Sequence, residues 1–155
     1  MDISLILNNL YETFSEHKRP SHFTDYQHCP ECNDHDQMML SATLETLDSE
    51  HLGNAGWSPF SFLTVDGFSH YMPRIMELAI TGKGNVHGEF FLTDFLFHLN
   101  PSEDYDRFTS YSYEQCKSIL DALLYTQEKY KSEIEDEFSV EDMESAISYW
   151  KTRCT

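Results

Sequence analysis

The residues best suited to chemistry stand together at positions 28 to 36, which read His28-Cys29-Pro30-Glu31-Cys32-Asn33-Asp34-His35-Asp36. Thiolate and imidazole are preferred ligands of Zn²⁺, and the two-residue gap between Cys29 and Cys32 lets both sulfurs reach one ion. Cys29, Cys32, His35 and His28 are therefore the candidate ligands of a structural zinc site, with His22 and His51 as alternative fourth ligands. A helix starting at Pro30 would set Cys32 and His35 one turn apart on one face, with Asp36 alongside. Cys29 would then occupy the N-cap, where the helix dipole favours a thiolate.

The same letters admit other chemistry. Cys-Pro-Glu-Cys resembles the redox motif of glutaredoxin-like proteins, but those place it after a strand, and the acids Glu31, Asp34 and Asp36 would work against thiolate formation. A catalytic zinc needs an open position and a nearby base, for which Glu31 and Asp36 are the candidates. The deaminase pattern puts Pro before the Cys pair and His-x-Glu well upstream; here Pro30 lies inside the pair and His28 abuts Cys29. The plainest alternative is a helix start with two part-buried cysteines and solvated histidines. Cys116, among apolar residues, reads as a core residue, and Cys154 as part of a frayed end.

No other motif carries a reaction. There is no Gly-x-Ser-x-Gly elbow, no His-Glu-x-x-His helix and no phosphate loop. Thr81-Gly82-Lys83-Gly84-Asn85 follows a helix and reads as its C-cap. His70, His87 and His98 are scattered, and His98 falls on an apolar helix face. Charge is more informative. The formal net charge is −17, and between Lys131 and Ser145 stand Glu133, Glu135, Asp136, Glu137, Glu141, Asp142 and Glu144. Part of this run suits a helix N-terminus, and a solvated face is the simplest account. It is also the candidate docking surface for a basic protein, because complementary charge speeds association and selects partners.

These groups are positioned by helices. Apolar residues recur at three- and four-residue spacing over about 3–16, from Pro30 toward Leu47, over 65–80, over 91–99, over 113–131 and from Val140 onward. Ser112 with Gln115 predicts a capping box, and Ser139 is expected to cap the sixth helix. Pro73 should kink or divide the third. Phe60 to Val65 alternates weakly, and one extended segment cannot form a sheet. The expectation is an all-α, single-domain irregular bundle of about six helices, with a loop-rich Cys/His segment after the first helix.

In 155 residues, 40% are apolar or aromatic, which is enough for a core and argues against global disorder. No apolar run reaches the roughly 20 residues of a membrane helix. The N-terminus lacks the basic region of a signal peptide, so a cytoplasmic location with reduced thiols is expected. The acidic balance excludes nucleic acid as a partner, since phosphate binding needs a basic face.

Arg19-Pro20, Trp57, the run Phe62-Leu63-Thr64-Val65-Asp66-Gly67-Phe68-Ser69-His70-Tyr71-Met72-Pro73, Phe108-Thr109 and Tyr113-Glu114-Gln115 together resemble an uncharacterised bacterial family of small helical proteins, a domain of unknown function. The resemblance implies a helical fold and supplies no activity. The expected function is a non-enzymatic acidic protein that recognises a basic partner, most concretely an immunity protein that neutralises a nuclease toxin. The alternative is a small hydrolase-like metal enzyme built on the Cys/His segment.

Overall fold

The computed structural model describes residues 1–54, 56–85, 90–102 and 104–155; among these the chain forms helices and no strand. His87 lies outside the described residues. The helices are α1 (Ile3–Thr13), α2 (Pro30–Leu40), α3 (Ser49–Leu52), α4 (Val65–Thr81), α5 (Phe91–His98), α6 (Tyr113–Lys129), α7 (Lys131–Asp136) and α8 (Val140–Arg153). The single all-α domain is as expected, with eight helices in place of about six. The weakly alternating segment supplies only an isolated antiparallel bridge, Thr24 to Leu63.

The two additional helices have local causes. Asp48 and His51 form a capping box that closes the single turn of α3. The long helix expected to reach 131 ends at Tyr130, whose backbone leaves the helical region (φ −109°, ψ 29°) while its hydroxyl donates to the Ile80 carbonyl; α7 restarts directly after it. Helix α2 stops at Leu40, short of Leu47. Arg19 donates to the Leu40 and Ala42 carbonyls at 2.8 Å each, and Thr43 and Thr46 then bond each other in a turn. A cation taking the last carbonyls of a helix is favourable there.

Pro73 does not divide α4. The helix runs unbroken from Val65 to Thr81 with Pro73 buried among Met72, Ile75 and Met76, so packing outweighs the proline cost of about 3 kcal/mol. Thr64 caps α4 through Gly67 N, and Gly82, at φ 74°, closes it in the left-handed conformation that the glycine-rich segment predicted. The Ser112–Gln115 box is present in both directions. Ser139 does stand at the N-cap of α8 but makes no cap hydrogen bond there, because its hydroxyl meets Thr93 Oγ1 at 2.8 Å.

Helix α6 lies against α1, α4 and α8, and α5 closes onto α4 and α8. The core between them is aromatic: Phe23, Phe60, Phe68, Tyr71, Phe95, Phe108 and Trp150 are all sealed from solvent. Each contributes about 1.5–3 kcal/mol of burial. Trp150 also donates to the Leu99 carbonyl, so its one polar atom is matched. Cys116 is in this core as expected, and Cys154 packs against it instead of fraying.

Candidate functional site

The loop before α2 is clamped to the helix by a residue whose structural role the sequence did not reveal. Asp36 is fully buried, and its carboxylate accepts from Phe23 N at 2.6 Å, Thr24 N at 3.2 Å and His22 Nδ1 at 2.8 Å. Thr24 returns a bond to the Cys32 carbonyl at 2.7 Å. A buried carboxylate is stable only when so bonded. This brace delivers residues 22–32 to a fixed place. It also removes Asp36 from the general-base role; His22, bound through Nδ1 to Asp36 and stacked on Tyr26 at 3.8 Å, is not among the ligand atoms that come together at the cysteine pair.

Cys29 is the N-cap of α2, as its position before Pro30 predicts, and its sulfur accepts from Cys32 N at 3.1 Å. His28 Nδ1 lies 3.6 Å from Cys32 Sγ. The ligand atoms of His28, Cys29 and Cys32 all fall within 4.8 Å of one another. With Zn–S near 2.3 Å and Zn–N near 2.0 Å, the edge of a tetrahedron joining N to S is about 3.6 Å, so the His28–Cys32 separation fits one shared ion. The electrostatics agree. Hydrogen bonds from the Cys32 side chain and then His28 lower the Cys29 pKa, while the same contacts with Cys29 raise that of His28. Cys32 is pushed up to about 11, first by its hydrogen bond to Cys29 and then by burial. A thiol with a lowered pKa beside one with a raised pKa is an arrangement from which a bound cation would displace protons to gain two thiolate ligands.

His35 is not in this group. It shares the buried face of α2 with Cys32, as the spacing required, but its ring lies between Trp57 (4.7 Å) and Phe62 (4.9 Å). The residue is 2% exposed and its Nε2 has no hydrogen-bond partner, with Glu31 Oε1 at 3.7 Å. Burial keeps it neutral by lowering its pKa. His51 is likewise engaged in the α3 cap. The structure thus brings together three of the four sequence candidates and leaves one tetrahedral position unfilled by them.

The acidic run forms a corner where α7 meets α8. Glu133, Glu135, Asp136, Glu137, Glu141 and Glu144 are exposed and Asp142 is half-buried. Between the helices stands Phe138, which the sequence reading passed over: φ is 56° and 93% of the residue is exposed. The turn is a Schellman cap, with Ser139 N bonded to Ile134 O and Phe138 N to Glu135 O. That motif normally takes glycine at the position Phe138 holds. Beside it lies a groove of about 580 Å³ lined by the apolar Leu124, Ile134, Val140 and Met143 and by the charged Glu128, Lys131, Glu135 and Glu144.

Fold and site define a small acidic all-α protein with a thiol–imidazole cluster that could hold a metal. The chain belongs to the family of unknown function DUF6714, which it matches over residues 4–154. No curated protein and no solved structure matches it. No helix among the described residues is long and apolar enough to cross a membrane.

Proposed function

We propose that this protein is a non-enzymatic recognition protein whose acidic α7–α8 corner binds a basic protein, most concretely a nuclease toxin that it neutralises. The observation that carries this reading is Phe138. A non-glycine residue in the left-handed region costs roughly 1–2 kcal/mol, and an exposed phenyl ring forgoes another 1.5–3 kcal/mol of burial. Glycine would avoid the conformational cost at this turn. A ring retained there, ringed by carboxylates and next to an apolar groove, is suited to anchor a partner that carries cations around an apolar patch. A structural Zn²⁺ on His28, Cys29 and Cys32 would fix the segment leading into α2 and has no direct part in this contact.

The enzyme reading has one observation in its favour, the open fourth position of the Cys/His cluster. Its two candidate bases are otherwise placed: Asp36 is bound by three donors and Glu31 faces His35. Recognition is therefore the better supported conclusion.

The test uses Phe138→Gly beside a variant with Glu133, Glu135, Asp136 and Glu137 changed to their amides. Pull-downs from the native host at about 0.05 M salt should recover a basic protein that is released near 0.5 M, where screening lengths shrink to a few ångströms. Phe138→Gly should stabilise the fold by about 1 kcal/mol yet weaken the purified complex at least tenfold. Recovery of no basic partner, or variants that bind as tightly as the wild type, would sink the reading.

A further inference from the structure

Arg107 is a cation with no carboxylate to pair with among the described residues, in a chain that carries 27 acids. The residue is 6% exposed, and its guanidinium lies 4.5 Å over the Phe68 ring and 5.6 Å from that of Tyr105. Nη1 donates to the carbonyls of Phe60 and Leu63. Those two bonds use one nitrogen of the three; Nε and Nη2 find no acceptor among the described residues. The only side-chain polar atom that is both sealed and unpartnered there is His35 Nε2, so the free edge of Arg107 is not closed off by protein. It opens on a cavity of about 280 Å³ that Arg107 lines together with Ser61, His98, Asn100, Ser102 and Tyr105.

Burying an unpaired guanidinium is costly, and ring faces and carbonyl dipoles offset only part of that cost. The other polar walls bring no charge of their own that would answer it. Ser61, Asn100, Ser102 and Tyr105 offer hydroxyl and amide groups that can donate. His98, with Asp94 at 3.8 Å, is held neutral: burial first and the Arg107 charge second push its pKa down to about 4. A buried cation with a two-nitrogen edge and neutral donors around it matches an oxyanion, which such an edge can grip through two parallel bonds.

We propose that this cavity binds a small oxyanion, the carboxylate or phosphate group of a metabolite-sized ligand, on the free edge of Arg107. None of the ion pairs among the described residues puts a carboxylate on Arg107, and charges farther than about 8 Å are screened at physiological salt. The site is separate from the acidic corner and from the Cys/His cluster, and it stands whether or not the recognition reading holds. A clamp that only held the Phe60–Leu63 turn would need Nη1 alone.

The test titrates the full-length protein with sodium benzoate and, separately, with sodium phosphate, against sodium chloride at matched ionic strength. Thermal stability and the Arg107 Nε–Hε resonance are followed together. A saturable rise in Tm with a shift of that resonance is expected for at least one of the two anions; the tighter of them tells a carboxylate from a phosphate ligand. Arg107→Lys keeps the charge but loses the fork, and should weaken binding by about tenfold or more. Should that variant not fold, the exposed-wall change Asn100→Ala with Ser61→Ala should still weaken it about threefold or more. The proposal is overturned if neither anion acts beyond chloride, or if the wall variants bind like the wild type.

Discussion

At the scale of single residues, Cys29 and Cys32 are chemically unlike although only two residues separate them. Cys29 is half-buried at a helix start with its thiol pKa lowered, whereas Cys32 is buried and pushed up to about 11. Cys116 and Cys154 are also raised, by burial. Alkylation at neutral pH, read site by site by mass spectrometry, should therefore modify Cys29 first, with its rate falling as pH drops through the lowered value. Zinc should suppress that reaction, and protein purified without an affinity tag should carry one zinc per chain that is lost in Cys32→Ala. Metal-free protein whose Cys29 reacts no faster than Cys154 would remove both the lowered Cys29 pKa and the site. The pair and its neighbour His28 were legible from spacing, because the N-cap geometry follows from Pro30. His35 was misleading for a physical reason. Helical spacing fixes which face a residue shares, and it does not say that Trp57 and Phe62, from a distant loop, will fill the space between that residue and an ion.

At the scale of elements, Gly67 separates local preference from packing. It lies in the first turn of α4, and helix propensity alone says that alanine there should stabilise by about 1 kcal/mol. A Cβ at this position would stand 2.7 Å from the Phe23 carbonyl oxygen and 3.1 Å from its Cα. That backbone cannot retreat, since Phe23 O accepts from Thr64 N at 2.9 Å and Phe23 N donates to Asp36. Gly67→Ala should thus destabilise by about 2 kcal/mol or more, as overpacking of a fixed contact does. Urea unfolding followed by circular dichroism would measure it, and a stabilised variant would mean that the Phe23 segment is not anchored as described. The α1, α4, α5, α6 and α8 helices were readable because their apolar periodicity is long and their caps are local, as at Ser112–Gln115 and Gly82. The end of α2 and the break at Tyr130 were not, because each is set by a single side chain, Arg19 or Tyr130, reaching a carbonyl far away in sequence.

At the scale of the whole molecule, the response to acid sets two effects against each other. With a charge of −17 and a pI near 4.6, moving from pH 7 toward pH 5 relieves self-repulsion, which by itself favours the compact state. Most carboxylates ionise near pH 4, however, so little of that relief arrives above pH 5. The histidines titrate in this interval. His35, His70 and His98 all have pKa values lowered, in each case first by burial, and His98 reaches about 4. In the unfolded chain each takes up its proton near pH 6.5. The unfolded state therefore binds more protons between about pH 6.5 and the folded values, and stability is lost as pH falls through that window. For His98, with allowance for its partial exposure, the loss by pH 5 is roughly 1–2 kcal/mol. His28 shifts the other way, but it sits in solvent and cannot compensate three buried rings. Tm should accordingly drop by several degrees between pH 7 and pH 5 at about 0.15 M salt, at about 2–4 °C per kcal/mol for a chain of this length. His98→Gln should flatten that slope. A Tm that rises over the same interval would show that charge repulsion, not the buried imidazoles, governs the stability of this fold.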